Sequence, residues 1–208
     1  MVTVTTPTRQ PQLLHGRLVR LEPLRPDHAT ALLTSASDPE VWRWKLVARP
    51  QSEAGLRALI ENSMIGPGRW PFLIRRRDGG TIGSTTLANF DWTHGCVEMG
   101  FTWLAREAWG QGFNEDAKRL LLRTCFETLG MHRVEWQVDA RNERSVAALT
   151  RLGLTYEGVH RSRHRRPDGT RRDSVWFSLL AEEWAACEVR LDALISTRSP
   201  SLLEDDSS

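Results

Sequence analysis

The stretch "EAWGQGFNEDAKRLLL", residues 107–122, passes from an aromatic segment through two glycines one residue apart into a run of helix-forming side chains. A glycine turn set against the first turn of a helix leaves backbone N–H groups unpaired. It also aims the positive end of the helix dipole at whatever lies in front, which suits a phosphate. A lone G-x-G is a weak sign, since such pairs mark ordinary tight turns more often than nucleotide sites. Its surroundings narrow the reading. A dinucleotide fold calls for G-x-G-x-x-G after an early strand with an acidic residue about 20 residues on. A P-loop calls for Gly-Lys-Ser or Gly-Lys-Thr, and neither pattern is present.

Just upstream, "CVEMGFTWL" (96–104) alternates as a strand does, with Val97, Met99, Phe101 and Trp103 on one face and Glu98, Gly100 and Thr102 on the other. A glycine in mid-strand weakens it unless a bulge, another backbone or a ligand comes close. Glu98 is then a carboxylate on the non-core face beside that groove, although a Glu in such a place is ordinarily solvated or salt-bridged. Working outward, strands are expected at 17–24, 70–76, 81–89, 133–138, 154–159 and 173–180. Turns at Asp78-Gly79-Gly80 and "DWTHG" join three of the strands into a meander. Helices are expected over 27–36, from Ser52 to 63, from Asn114 to Leu129 with Gly130 as C-terminal cap, and from Asn142 to Gly153. This order makes an α/β (α+β) mixed sheet with helices on both faces. The folded body is placed at 13–186, with a loose tail over 1–12 and an extension over 187–208 whose polar end is loose.

The chain has 208 residues and a net charge of +2 from 28 basic and 26 acidic side chains, so no overall field argues for nucleic acid. Cys96, Cys125 and Cys187 are far apart, odd in number and without metal-ligand spacing, so they read as packing residues in a reducing cytosol. No apolar run approaches the ~20 residues of a membrane span, and the start lacks signal-peptide architecture. A cytoplasmic protein without metal is expected.

Five stretches, "VEMGFTWL", "WGQGFNEDAKRLLL", "FETLGMHRVEWQVDARNERSVAAL", "RLGLTYEGV" and "PDGTRRDSVWFSLL", resemble in order and spacing the RimJ/RimL-like branch of the GNAT superfamily of acetyl-CoA-dependent N-acetyltransferases. The resemblance runs from about 96 to 184 and, more loosely, through "GRLVRLEPLRPDHA". It implies a mostly antiparallel twisted sheet of about seven strands. It further implies that Trp109, Gly110, Gln111, Gly112, Phe113 and Asn114 seat the coenzyme A pyrophosphate. Phe101, Thr102, Trp103 and Leu104 would then pair with the pantetheine arm in a cleft opened by a bulge. Asn142 and Ser145 match the family's N-x-x-S, Asn142 touching the arm and Ser145 lying near its sulfur; on residue type alone Asn142 is equally well a helix N-cap.

Three departures from the family pattern stand out: Glu107 where Gln or Arg is frequent, Glu115 close to the phosphate seat, and Leu149 where many relatives carry a Tyr acid. The reaction implied is direct attack of a primary amine, from a protein N-terminus or a small molecule, on the acetyl thioester. Glu98 is assigned as base through a water, Ser145 as proton donor to the thiolate, and N–H groups near Phe101 as oxyanion donors. His164 is a second candidate base and, with Trp42 and Trp44, a candidate acceptor contact. The alternatives are a catalytically silent acyl-CoA sensor, an acyltransferase using a longer donor such as succinyl-CoA, and an RNA-binding module built on the arginines of 160–172, although nucleic acid is not the expected partner. A monomer or homodimer is expected.

Overall fold

The computed structural model describes residues 10–66 and 68–198. Most of the expected tails, 1–9 and 199–208, therefore lies outside the described residues. Eight strands form one sheet: β1 (Leu14–His15), β2 (Val19–Pro23), β3 (Trp70–Arg76), β4 (Thr81–Asp91), β5 (Cys96–Leu104), β6 (Arg133–Asp139), β7 (Thr155–Arg165) and β8 (Arg171–Leu180), in the order β1-β2-β3-β4-β5-β6-β8-β7. The additional strand relative to the expected seven is the two-residue β1. Every neighbour is antiparallel except β5 and β6, whose parallel pairing requires the crossover helix α3 (Phe113–Arg123) between them.

Two helices, α1 (Ala29–Leu32) and α2 (Glu53–Met64), cover one face of the sheet. α2 starts at Ser52, whose hydroxyl accepts the Gly55 N–H at 3.2 Å. Alternation along β3 divides the two sides of the core. Leu73 packs with Leu32, Leu56, Ile60 and Trp103, while Trp70, Phe72 and Ile74 join Leu121, Leu122, Val134 and Phe177 opposite. α3 and α5 (Trp184–Arg198) serve that second side, joined by Leu149 and Leu152 of α4 (Glu143–Arg151) and its C-terminal end.

The structure corrects three sequence expectations. The helix after the glycine turn ends as α3 at Arg123 and continues as a π-helical turn, Thr124–Thr128, before Gly130 takes φ +64°. β7 runs on to Arg165, six residues past its expected end, and β8 begins two residues early at Arg171, so most of the arginine-rich segment is strand and not loop. The folded body continues past 186, because α5 buries Cys187, Leu191 and Ile195 completely. Their spacing, with Trp184 one turn before, draws a helical stripe.

Leu191→Ala removes a fully buried side chain from that stripe and should lower unfolding stability by about 2–5 kcal/mol. Chemical denaturation of the purified chain measures it; a change within about 0.5 kcal/mol, the size of a surface effect, would show that α5 is not part of the core.

Candidate active site

β5 and β6 stay paired for only three residues, Cys96–Arg133, Val97–Val134 and Glu98–Glu135. Beyond Glu98 they part, β5 remaining with β4 and β6 with β8. A bulge deepens the separation. Thr86 faces Gly100 and Ser84 faces Trp103, so Phe101 and Thr102 together oppose Thr85. Phe101, not Gly100, takes the left-handed conformation, with φ +53°. The strict alternation expected for this strand therefore breaks: Val97 and Met99 lie in the larger core cluster, Phe101 is 49% exposed, and Trp103 crosses to the opposite cluster. Between the parted strands lies a cavity of about 420 Å³, walled also by α2, α3, α4 and the segment Trp42–Val47.

Glu98 stands where the two strands separate and is buried. Its Oε2 accepts Asn89 Nδ2 at 2.7 Å and Gln137 Nε2 at 3.2 Å, while Oε1 has no hydrogen-bond partner among the described residues and faces Gly100. Burial pushes the carboxyl above its ordinary range against the downward pull of those two amides. His164 Nε2 reaches Gln137 Oε1 at 3.0 Å, so the imidazole meets Glu98 only through the amide. Burial, with Arg172 and Arg163 nearby, lowers the imidazole pKa.

At the glycine turn, Gly110 and Gly112 have φ +78° and +84°. Gly112 is the N-cap of α3 and contributes no side-chain cap. Both acids of the first turn point away. Glu115 Oε1 meets Arg198 Nη1 at 2.5 Å, and Asp116 Oδ2 accepts the N–H groups of Leu18 at 2.7 Å and Val19 at 3.0 Å. Glu107 is exposed, and its carbonyl accepts Gln111 Nε2 at 2.5 Å. Positive charge gathers beside the turn, with the Arg144 and Arg106 guanidinium carbons 3.4 and 4.3 Å from the Trp109 ring centre. The end of α3 is thus an electropositive seat that suits a diphosphate.

A model of the acetyltransferase (GNAT) domain family matches residues 18–155. The chain belongs to the GNAT acetyltransferase family. This acetyltransferase is similar to a putative acetyltransferase from T. thermophilus, with 42% identity and TM-score 0.81 over 88% of this chain and 96% of that one. It is 36% identical to the "Putative ribosomal N-acetyltransferase YdaF" of Bacillus subtilis over 107 residues, 51% of this chain and 57% of the relative. It shares its fold with Mycobacterium smegmatis RimJ, solved in complex with CoA-disulfide, at 23% identity and TM-score 0.77 over 93% of this chain and 98% of that one.

The cavity of this acetyltransferase gathers most of the residues singled out from its sequence: Trp42, Trp44, Glu98, Phe101, Thr102, Trp103, Asn114, Asn142, Ser145 and His164. Leu104 and Phe113 are instead core residues, and Trp109 and the Gly110–Gly112 turn lie outside the cavity wall. Asn142 does cap α4, its Oδ1 accepting the Ser145 N–H at 3.2 Å, while also facing the cavity. Trp42 is 6% exposed, bonded through Nε1 to the Ala36 carbonyl at 2.8 Å, with its ring centre 5.3 Å from that of Trp103. In the arginine segment, Arg166 is buried in a two-point bond to Asp139 at 2.8 and 3.0 Å, and Arg172 is buried against the cavity.

Asn89, Gln137, Lys45 and Lys118 are site residues that the sequence does not single out. The two amides come from neighbouring strands, and nothing local in the sequence points them at Glu98. Titrating isotope-labelled Glu98 carboxyl by NMR should give a midpoint above the ordinary carboxylate range. Gln137→Leu should raise it further, because the lost N–H bond favours the ionised form; a midpoint unmoved or lowered in Q137L would contradict this geometry.

Proposed function

We propose that the enzyme transfers an acetyl group from acetyl-CoA to a primary amine by direct attack within a ternary complex. The acceptor is an α-amine of a protein N-terminus or a small-molecule amine. The observation that carries this reading is Glu98, buried at the point where β5 and β6 separate, with one oxygen held by two amides and the other free beside the cavity. The residues fit the donor. The uncapped start of α3, with its acids turned aside and Arg106 and Arg144 close by, suits the diphosphate, and the gap between the strands suits an extended arm. When bound, the coenzyme supplies the activated acetyl group.

The chain's own residues align the amine and remove its proton. An α-amino group titrates near 8 and a lysine amine near 10.4, so near neutral pH the former needs only a weak base. A carboxylate raised by burial is better matched to that transfer than an exposed one, and Glu98 Oε1 is open for a direct or water-relayed bond. Ser145, on the first turn of α4, faces the cavity and can return a proton to the departing sulfur. The silent-sensor reading rests on Glu107, Glu115 and the absence of a Tyr acid, with Leu149 in its place. With Glu115 bound to Arg198 and Glu107 in solvent, its motivation weakens.

Glu98→Gln should lower kcat by roughly 10²–10⁴-fold while leaving the calorimetric Kd for acetyl-CoA within about twofold, since the change removes a base without altering shape. In the wild type, kcat/KM should climb with pH through a pKa above the ordinary carboxylate range. Full turnover in E98Q on an accepted amine would remove Glu98 from the role of base.

A further inference from the structure

Of the 28 basic residues in this chain, 26 are arginine and two are lysine, Lys45 and Lys118. Both lysines line the cavity that contains Glu98. Arginine keeps its proton in proteins, whereas a shielded lysine can release one and act as a nucleophile. The titratable side-chain amines of the protein are therefore confined to its cleft.

The two differ in what holds them. Lys118 bonds Asn114 Oδ1 at 2.9 Å on its own helix. Lys45, in the loop before α2, donates to the Thr102 carbonyl inside the β5 bulge. No carboxylate pairs with Lys45 among the described residues. Its charged neighbours are Lys118, Arg144 and Arg172, and Glu98 and His164 share the cavity wall. Burial first, and those cations second, bring its pKa down to about 8.

We propose that Lys45 is a self-acetylation site: with acetyl-CoA in the cleft, its amine accepts the acetyl group in competition with the external acceptor. This rests on the acetyl-CoA reading above. The unprotonated Nζ attacks the thioester carbonyl carbon, a C–N bond forms and the C–S bond breaks. Coenzyme A leaves as the thiolate, and the proton shed by the nitrogen passes to the Glu98 carboxylate and on to the sulfur. The products are an Nζ-acetyl amide and free coenzyme A thiol. The amide is neutral and bulkier than the amine, so modification both removes a cation from the cleft and narrows the passage at the bulge.

The test incubates the full chain with acetyl-CoA bearing a ¹³C-labelled acetyl group, without acceptor, and maps the label by mass spectrometry. Two lysines make the assignment unambiguous. A pKa of about 8 in place of the ordinary 10.5 raises the neutral fraction at pH 7 by about a hundredfold or more. Lys45 should therefore label about tenfold or more faster in the native chain than in guanidinium, at a rate unchanged by diluting the protein. Lys45→Arg should lose the label. Acetyl-CoA binding without label at Lys45 overturns the proposal. So does label on Lys118 in its place, a rate that scales with protein concentration, or equal labelling of the unfolded chain. Absence of any acetyl-CoA binding by the wild type overturns the donor reading and this proposal with it.

Discussion

The architecture turns on the parting of two parallel strands after three paired residues. Backbone groups that a sheet would ordinarily satisfy are left along both lips of the gap, and buried carbonyls without partners are costly. Side chains from other elements take them. Lys45 bonds the Thr102 carbonyl, Trp109 Nε1 the Leu104 carbonyl at 2.9 Å, and Arg172 Nη2 the Gln137 carbonyl at 3.4 Å. Such bonds keep the strands apart without closing the cleft, and a long, flexible side chain can exchange its carbonyl for a ligand more readily than a paired strand can.

The electrostatics of the gap follow from where its acids are committed. Asp139 is matched to Arg166, Glu115 to Arg198, and Asp116 to two backbone amides. What remains facing the cavity is Glu98, held by neutral amides, together with Lys45, Arg69, Lys118 and Arg172, none of which has an ion-pair partner among the described residues. A concave wall with that surplus focuses positive potential and favours anionic ligands. Burial keeps the pKa of that lone carboxylate raised, since the amides bonded to it and Arg69 nearby offset the burial only in part.

The sequence exposes the parts of this arrangement whose causes are local. Gly110, Gly112 and the apolar spacing of Ala117, Leu120, Leu121, Cys125 and Leu129 identify a glycine turn and its helix, and Asn142 and Ser52 mark helix starts by their capping chemistry. The bulge is not legible: "CVEMGFTWL" alternates perfectly as text, and only pairing with Thr85 displaces Phe101 and Thr102. β7 reads too short because nearly every one of its residues is exposed, so an edge strand rich in arginine has no hydrophobic period to follow. α5 lies in plain spacing at Trp184, Cys187, Leu191 and Ile195, yet its stripe is blurred by apolar residues on the outer face such as Val189, 70% exposed. Asn89 and Gln137 reach Glu98 from 9 and 39 residues away, and such contacts carry no local signature.

The acids at the start of α3 look adverse for the anion site proposed there, yet both are committed to bonds within the fold. Placed in the first helical turn they favour the helix dipole, and their side chains turn toward the two ends of the folded body instead of the glycine turn. Asp116 grips the backbone entering β2, where Gly16 is required because a Cβ there would lie 2.3 Å from Asp116 Oδ2. Glu115 holds Arg198 at the end of α5. Bonds from amides to a buried carboxylate contribute about 1.5–3 kcal/mol each, enough to fix the helix start against β2. The glycine turn is therefore braced from behind by the first strands and the last helix, so the amides of α3 are positioned before any anion arrives.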